Sequence, residues 1–273
     1  MSIMIKTVFV IVITALFVGC GGQTIISGPI PTHDDFTINS DLVNETRVIN
    51  VWTPPNYEEG NHSLPVLYMA DGGIKEDFPH IANTLSELIA KKSIPPIILV
   101  GIENTERGRD LTGFSEVEED AEYCPLTDGA KNFRAFITDE LFSEIEERYR
   151  VTAEKGLIGE SLSGLFVMET FFLTPEAFDF YIAMDPSLWW NNHYLERNAS
   201  NLLVTFPNKK TRLWFAGSGA EDISKHTNNL AKTLETESPN QLTWKYSDEP
   251  NEKHNTIFRA TKEKALTWVL NAR

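Results

Sequence analysis

Gly156-Leu157-Ile158-Gly159-Glu160-Ser161-Leu162-Ser163-Gly164-Leu165-Phe166 runs a short apolar segment into a Gly-x-Ser-x-Ser-Gly turn and then into an apolar helical pattern. This is the strand-turn-helix context of a nucleophile elbow, where a serine sits on a sharp turn at the top of a strand. Only small residues fit two positions before and after it, because the strand and helix backbones nearly touch there. Gly159 and Ser163 meet that demand. The string alone is a weak signal, since ordinary Gly and Ser usage produces it about 0.3 times by chance in a chain of this length. Gly113-Phe114-Ser115 begins the same way, yet Glu116 and Val117 follow it and no apolar run precedes it. Context therefore singles out Ser161, against the plainer role of a helix N-cap serine.

Outward from the elbow, eight short apolar, β-branched or aromatic runs read as strands. They lie at about 36–42, 46–53, 66–70, 97–102, 156–159, 181–184, 212–216 and 242–246. Helical patterns fall between them at 78–91, 130–149, 161–173, 226–235 and 259–270. Strands alternating with helices predict an α/β fold with a mostly parallel eight-stranded sheet, helices on both faces and the first strands forming an antiparallel edge. The helix after Ser161 is apolar almost all round and is expected to be buried.

The chain has 273 residues, 41% of them hydrophobic, enough for one sizeable core at residues 36–273. A formal net charge of -15 opposes nucleic acid as a partner. Residues 1–20 read as an export signal: Lys6 supplies the positive start, Val8 to Val18 form the apolar region, and Phe17-Val18-Gly19-Cys20 follows. This resembles a bacterial lipoprotein signal in which Cys20 carries lipid, with Phe17 where leucine is usual. It implies an exported protein of the bacterial cell envelope, held at the membrane by its N-terminus; a secreted protein or an uncleaved anchor is the alternative. Residues 21–35 would be the tether, with Gly28, Pro29 and Pro31. With Cys20 lipidated, Cys124 is the sole other thiol and no disulfide can form within the chain. No Cys/His spacing or phosphate-binding glycine loop predicts a metal or nucleotide, so no cofactor is expected.

A serine hydroxyl needs a base to take its proton and an acid to orient that base. Of six histidines, only His254 lies after the last strand and before the last helix, where the base loop of a doubly wound sheet belongs. The acid is expected between serine and histidine in the chain. Asp222, in the loop after the seventh strand, is the first choice, with Glu221 beside it and Asp185 at the end of the sixth strand as alternatives. An oxyanion hole needs two aimed donors. Leu162 N–H follows the nucleophile, and Gly73, in Met69-Ala70-Asp71-Gly72-Gly73-Ile74, is the choice for the second.

With these pieces the chain resembles the putative-esterase branch of the α/β-hydrolase superfamily, which includes esterase D and the enterochelin and bacillibactin esterases. The resemblance spans about residues 45–270. It rests on Trp52-Thr53-Pro54-Pro55-Asn56-Tyr57, Pro65-Val66-Leu67-Tyr68-Met69-Ala70-Asp71-Gly72, Val100-Gly101-Ile102, Asp139-Glu140-Leu141, Tyr149-Arg150, Ile158-Gly159-Glu160-Ser161 and Pro186-Ser187-Leu188-Trp189-Trp190. It implies a serine carboxylic-ester hydrolase working through an acyl-enzyme on a small-molecule ester, of siderophore type or another, with the triad falling on Ser161, Asp222 and His254. Ser163 replaces the usual glycine or alanine, and Asp185 stands where relatives often carry a small residue, which leaves the acid open. Trp189 and Trp190 could wall an acyl or aromatic group, and Arg107 and Arg109 could meet an anionic substrate; packing and structural ion pairs explain them equally well. The competing expectations are an esterase-like lipoprotein that binds a ligand without turnover, and hydrolysis of an amide or thioester.

Overall fold

The computed structural model describes residues 29–272; the signal segment, Cys20 and most of the tether lie outside them. Eight strands form one sheet: β1 (Asp34–Ser40), β2 (Glu45–Trp52), β3 (Leu64–Met69), β4 (Ile98–Ile102), β5 (Val151–Glu160), β6 (Phe180–Met184), β7 (Thr211–Ser218) and β8 (Leu242–Glu249). Their order is β1-β2-β4-β3-β5-β6-β7-β8. The β1–β2 and β2–β4 pairs are antiparallel and all later pairs parallel. The expected architecture is therefore present, including its antiparallel edge.

Side chains alternate across the pleat, so each central strand feeds two cores. Tyr181 and Ala183 of β6 enter one core with Leu213 and Phe215 of β7, while Phe180, Ile182, Met184, Trp214 and Ala216 enter the other. The first core is roofed by α3 (Gly129–Ala135), α4 (Phe142–Arg148), α5 (Leu162–Leu173), α6 (Trp190–Val204) and α7 (Glu221–Glu237); the second by α1 (Phe78–Ala90) and α8 (Ile257–Asn271). Ten of the twelve residues of α5 are buried, as its all-round apolar character requires. It runs directly from β5, a central strand, which puts Ser161 at the C-terminal edge of the sheet.

The structure departs from the expected elements in several places. The helix foreseen over 130–149 is divided: α3 and α4 flank a π-helical turn at Phe136–Leu141. Residues 190–204, where no helix was expected, form α6, whose entry bends through Asn191, Asn192 and His193 at φ 51°, 49° and 60°. Three consecutive polar residues in the left-handed region break the helical periodicity at its start, which hid the helix. A further short helix, α2 (Arg107–Leu111), follows β4.

One charged pair is built into the first core. Arg47 of β2 donates from Nη2 to Asp110 Oδ2 at 2.6 Å, with side chains 0% and 2% exposed. Its Nε and Nη1 are buried without hydrogen-bond partners, so the pair holds the β2 edge against α2 at a desolvation cost. Removing Asp110 leaves the buried Arg47 with only the partly exposed Glu45 Oε2, 3.1 Å from its Nη2, as counter-charge. Asp110→Ala is expected to lower unfolding free energy in urea by about 3–5 kcal/mol, and the double variant Arg47→Met/Asp110→Leu to recover most of that loss.

Candidate active site

Ser161 occupies the junction of β5 and α5 with φ 61° and ψ −121°, a backbone that side-chain-bearing residues rarely adopt. Its N–H donates to Met184 O at 3.0 Å and its carbonyl accepts from Leu165 N at 2.8 Å and Ser187 N at 3.1 Å, which pins the turn to the end of β6. The small-residue requirement at Gly159 is concrete, since a Cβ there would lie 2.5 Å from the Ser163 backbone. Ser163 adds a brace of its own. Its Oγ accepts from Glu160 N and donates to Glu160 O, both at 2.9 Å.

His254 lies in the loop between β8 and α8. Its Nε2 is 3.0 Å from Ser161 Oγ and its Nδ1 is 2.8 Å from Asp185 Oδ2. The loop lies low over the sheet because Gly219, just past β7, donates its N–H to Glu252 O at 3.0 Å, and a Cβ on Gly219 would come within 2.4 Å of Pro250 O. Asp185 is the first residue beyond β6, at φ 47° and with no exposed surface. Ser218 N donates to its Oδ1 at 2.5 Å and Ser218 Oγ to its Oδ2 at 2.7 Å, while its own N–H donates to Ala216 O at 2.9 Å. A carboxylate held by two Ser218 donors, on a backbone tied to β7, keeps a fixed direction, and it points at His254.

The structure thus brings Asp185, and neither Asp222 nor Glu221, to the histidine. Both of those are exposed in the first turn of α7, where carboxylates complement the helix dipole. β7 runs on to Ser218, so the loop after it is too short to carry Asp222 over the site, and Asp222 acts on His254 only through its charge. Asp185 instead sits on the strand adjacent to that of Ser161. Ser218, which sequence reasoning did not select, is the residue that fixes it.

The expected oxyanion donors fare unequally. Leu162 N–H is in the first turn of α5, among the amides that have no partner within the helix. Gly73 N–H instead donates to Glu76 Oε2 at 2.7 Å. Glu76 Oε1 accepts from Asn104 N and Nδ2 at 3.3 and 3.0 Å, and Asn104 Nδ2 also donates to Asp71 Oδ1 at 2.5 Å. The Gly73 amide can serve an incoming oxyanion only once Glu76 yields it. The arginines are structural as well. Arg107 makes a two-point contact with Asp71, from Nε at 2.6 Å and Nη2 at 2.9 Å. Arg109 is taken up by Glu45 Oε1 at 2.6 Å and Asp110 Oδ1 at 2.8 Å, so it does not present itself to a substrate. Trp190 is buried and donates from Nε1 to Gly113 O at 3.0 Å, which makes it packing rather than pocket wall. Trp189 is half-buried and meets the exposed ring of Tyr123 edge-on at 5.2 Å.

Electrostatics match the geometry. The hydrogen bond from Asp185 raises the His254 pKa above the ordinary histidine value, partly opposed by burial and reinforced by the charge of Glu160. Glu160, beside the nucleophile, is pushed up to about 8 by burial, with His254 pulling the other way and Asp77, Asp71 and Asp185 adding to the rise. Burial pushes Asp71 up as well, but the charge and hydrogen bonds of Arg107 more than offset this and hold it low. Glu160 is therefore largely neutral at pH 7 and sets no full negative charge against Ser161. The other histidines are remote from the serine hydroxyl's hydrogen bonding; His80 is buried against Lys262 Nζ at 2.6 Å and held down to about 3 by burial. A surface cavity of about 590 Å³ lined by Ile89, Pro95 and Leu270 lies at the C-terminal ends of α1 and α8, the end of the sheet opposite Ser161.

Comparison with known proteins gives a consistent assignment. The family model described as "Putative esterase" matches residues 40–270. Ferri-bacillibactin esterase BesA of Bacillus subtilis (strain 168) is 26% identical over 256 residues, 84% of this chain and 86% of that protein. The siderophore triacetylfusarinine C esterase of Aspergillus fumigatus is 26% identical over 191 residues, 65% of this chain and 63% of that one. Among solved structures, an IroE-like serine hydrolase from Shewanella oneidensis superposes with a TM-score of 0.79 at 26% identity, covering 88% of this chain and 80% of that one. The BES protein from Bacillus cereus shares the fold with a TM-score of 0.77 at 24% identity, over 89% and 98%. A serine elbow in an eight-stranded α/β sheet, matched by this family over nearly the whole described chain, makes the protein a member of the putative esterase family and a carboxylic ester hydrolase.

Proposed function

We propose that the protein hydrolyses small-molecule carboxylic esters of siderophore type through an acyl-enzyme on Ser161, with His254 as general base and Asp185 as the orienting acid. The observation that carries this is the unbroken relay in which Asp185 Oδ2 meets His254 Nδ1 at 2.8 Å and His254 Nε2 meets Ser161 Oγ at 3.0 Å. That spacing matches a nucleophile, a base and an orienter within hydrogen-bond reach. Siderophore esters are favoured because two relatives similar over most or much of their length carry such substrates in their names.

His254 Nε2 takes the Ser161 proton as Oγ attacks the carbonyl carbon, while Asp185 holds Nδ1–H and stabilises the imidazolium. The charge developing on the carbonyl oxygen meets Leu162 N–H and, once Glu76 moves aside, Gly73 N–H. His254 then protonates the leaving alkoxide, and water repeats the sequence on the acyl-enzyme. The half-exposed Trp189–Tyr123 pair offers an aromatic surface to the acyl group.

The chain is further proposed to be exported and held at the envelope membrane by lipid on Cys20, on the strength of the residues between Lys6 and Cys20. Metabolic labelling with palmitate is expected to mark the wild-type chain and to fail in Cys20→Ala; labelling of that variant would remove the anchor from the account.

In a p-nitrophenyl ester panel, Ser161→Ala is expected to lose essentially all turnover and Asp185→Asn about 10⁴-fold in kcat, by fixing the wrong imidazole tautomer. Asp222→Asn and Glu221→Gln are expected to stay within about tenfold of wild type, as screened surface charges do. If Asp222→Asn is the crippled variant, the acid is misassigned.

The pH profile of kcat/KM should be bell-shaped. His254 must be neutral to act, and its pKa is raised, so the acidic limb lies above the ordinary value of about 6.5 and rises with pH through it. Ionisation of Glu160 at about 8 places a charge against the forming oxyanion, so activity falls above that value. Glu160→Gln is expected to flatten the alkaline limb and leave the acidic one; an unchanged alkaline limb would acquit Glu160.

A further inference from the structure

Three donor side chains converge between α6 and α7, away from the serine relay. His193 and Glu196 come from the start of α6 and His226 from the second turn of α7; one donor atom of each lies within 4.8 Å of the other two. His226 Nδ1 is in direct contact with Glu196 Oε2, and the other oxygen of Glu196 accepts from Asn229 Nδ2 at 2.8 Å. The rings of His193 and His226 lie face to face, centroids 3.6 Å apart and 11° from parallel. Aromatic pairs prefer offset or edge-on arrangements, so attraction between the rings does not explain their meeting. His193 closes the left-handed run Asn191-Asn192-His193 at the entry to α6. His193 Nδ1 is buried with no well-formed hydrogen bond, the Leu188 backbone acting on it only as a weak partner.

We propose that His193, Glu196 and His226 form a binding site for a zinc-class divalent cation that ties α6 to α7. Two imidazole nitrogens and a carboxylate oxygen, completed by a water as fourth ligand, are a donor set zinc takes readily. Ligation needs neutral imidazole. Asn229 braces the carboxylate from outside, as groups behind metal ligands commonly do. In the structure the rings are parallel, so binding turns each about its side-chain bonds until one nitrogen points at the cation. The cation would then replace the direct His226–Glu196 contact and the ring stack with bonds of about 2.0–2.2 Å. Its place is structurally useful: α6 follows the loop that begins at Asp185, and α7 follows the loop that begins at Ser218. Sequence spacing alone gave no metal, because the third donor is thirty residues from the nearest of the other two, Glu196.

The test is a titration of the chelator-stripped full chain with zinc chloride at neutral pH, read by competition with a chromogenic chelator, together with the visible spectrum after cobalt addition. Wild type is expected to take up one zinc in the low-micromolar range or tighter and to show cobalt ligand-field bands. Glu196→Gln is expected to bind about tenfold or more weakly, His193→Gln/His226→Gln not to bind detectably, and His62→Gln to match wild type. Circular dichroism establishes that each variant is folded, and if the double variant is not, Glu196→Gln decides. Absence of binding in wild type, or equal affinity in wild type and Glu196→Gln, overturns the proposal.

Discussion

The hydrogen bond from His254 Nδ1 to Asp185 Oδ2 joins two segments far apart in the chain, with the Gly219–Glu252 backbone contact beside it. It spans from the end of β6 to the loop after β8, two strands away, and it sets the direction of Nε2 toward Ser161. Much of the surrounding structure serves to keep that bond fixed. Asp185 is fully buried, receives two hydrogen bonds from Ser218 and is tied by its own N–H to Ala216 on β7. A buried carboxylate without such donors would be expensive, so its burial and its satisfaction belong together.

The sheet makes this arrangement possible by stacking the relevant strand ends side by side. β5 delivers the elbow, β6 the acid and β7 the brace, in adjacent positions at one edge. The elbow is strained at Ser161 and is stabilised by Met184, Ser187 and the Ser163 hydroxyl rather than by its own preference. On the other side of the nucleophile, Asp71, Glu76, Asn104 and Arg107 form a polar network that occupies the Gly73 amide. In the proposed mechanism, activity on an ester therefore calls for a local change at Glu76 as well as the preset relay.

Ser161 and His254 were legible in the sequence because each follows from topology: a small-residue turn between a strand and an apolar helix, and a histidine between the last strand and the last helix. The sheet was legible for the same reason, since β5 to β8 are dense apolar runs with clear turn signals. Asp222 and Asp185 differ in no local property that a linear reading weighs. What separates them is where β7 ends, at Ser218, and that depends on its pairing with β8 through Glu249. The α6 helix escaped because its first residues are left-handed and polar; the engagement of Arg109 escaped because Glu45 comes from β2, and that of Gly73 because a linear reading does not say that the Glu76 side chain turns back to cap an amide three residues before it.

The most direct measurement is the rate and position of covalent modification by a fluorophosphonate, followed by peptide mass spectrometry on wild type, Asp185→Asn and Asp222→Asn. The account predicts a single adduct on Ser161, formed at wild-type rate in Asp222→Asn and slowed by orders of magnitude in Asp185→Asn. An adduct elsewhere, or undiminished modification of Ser161 in Asp185→Asn, would contradict it.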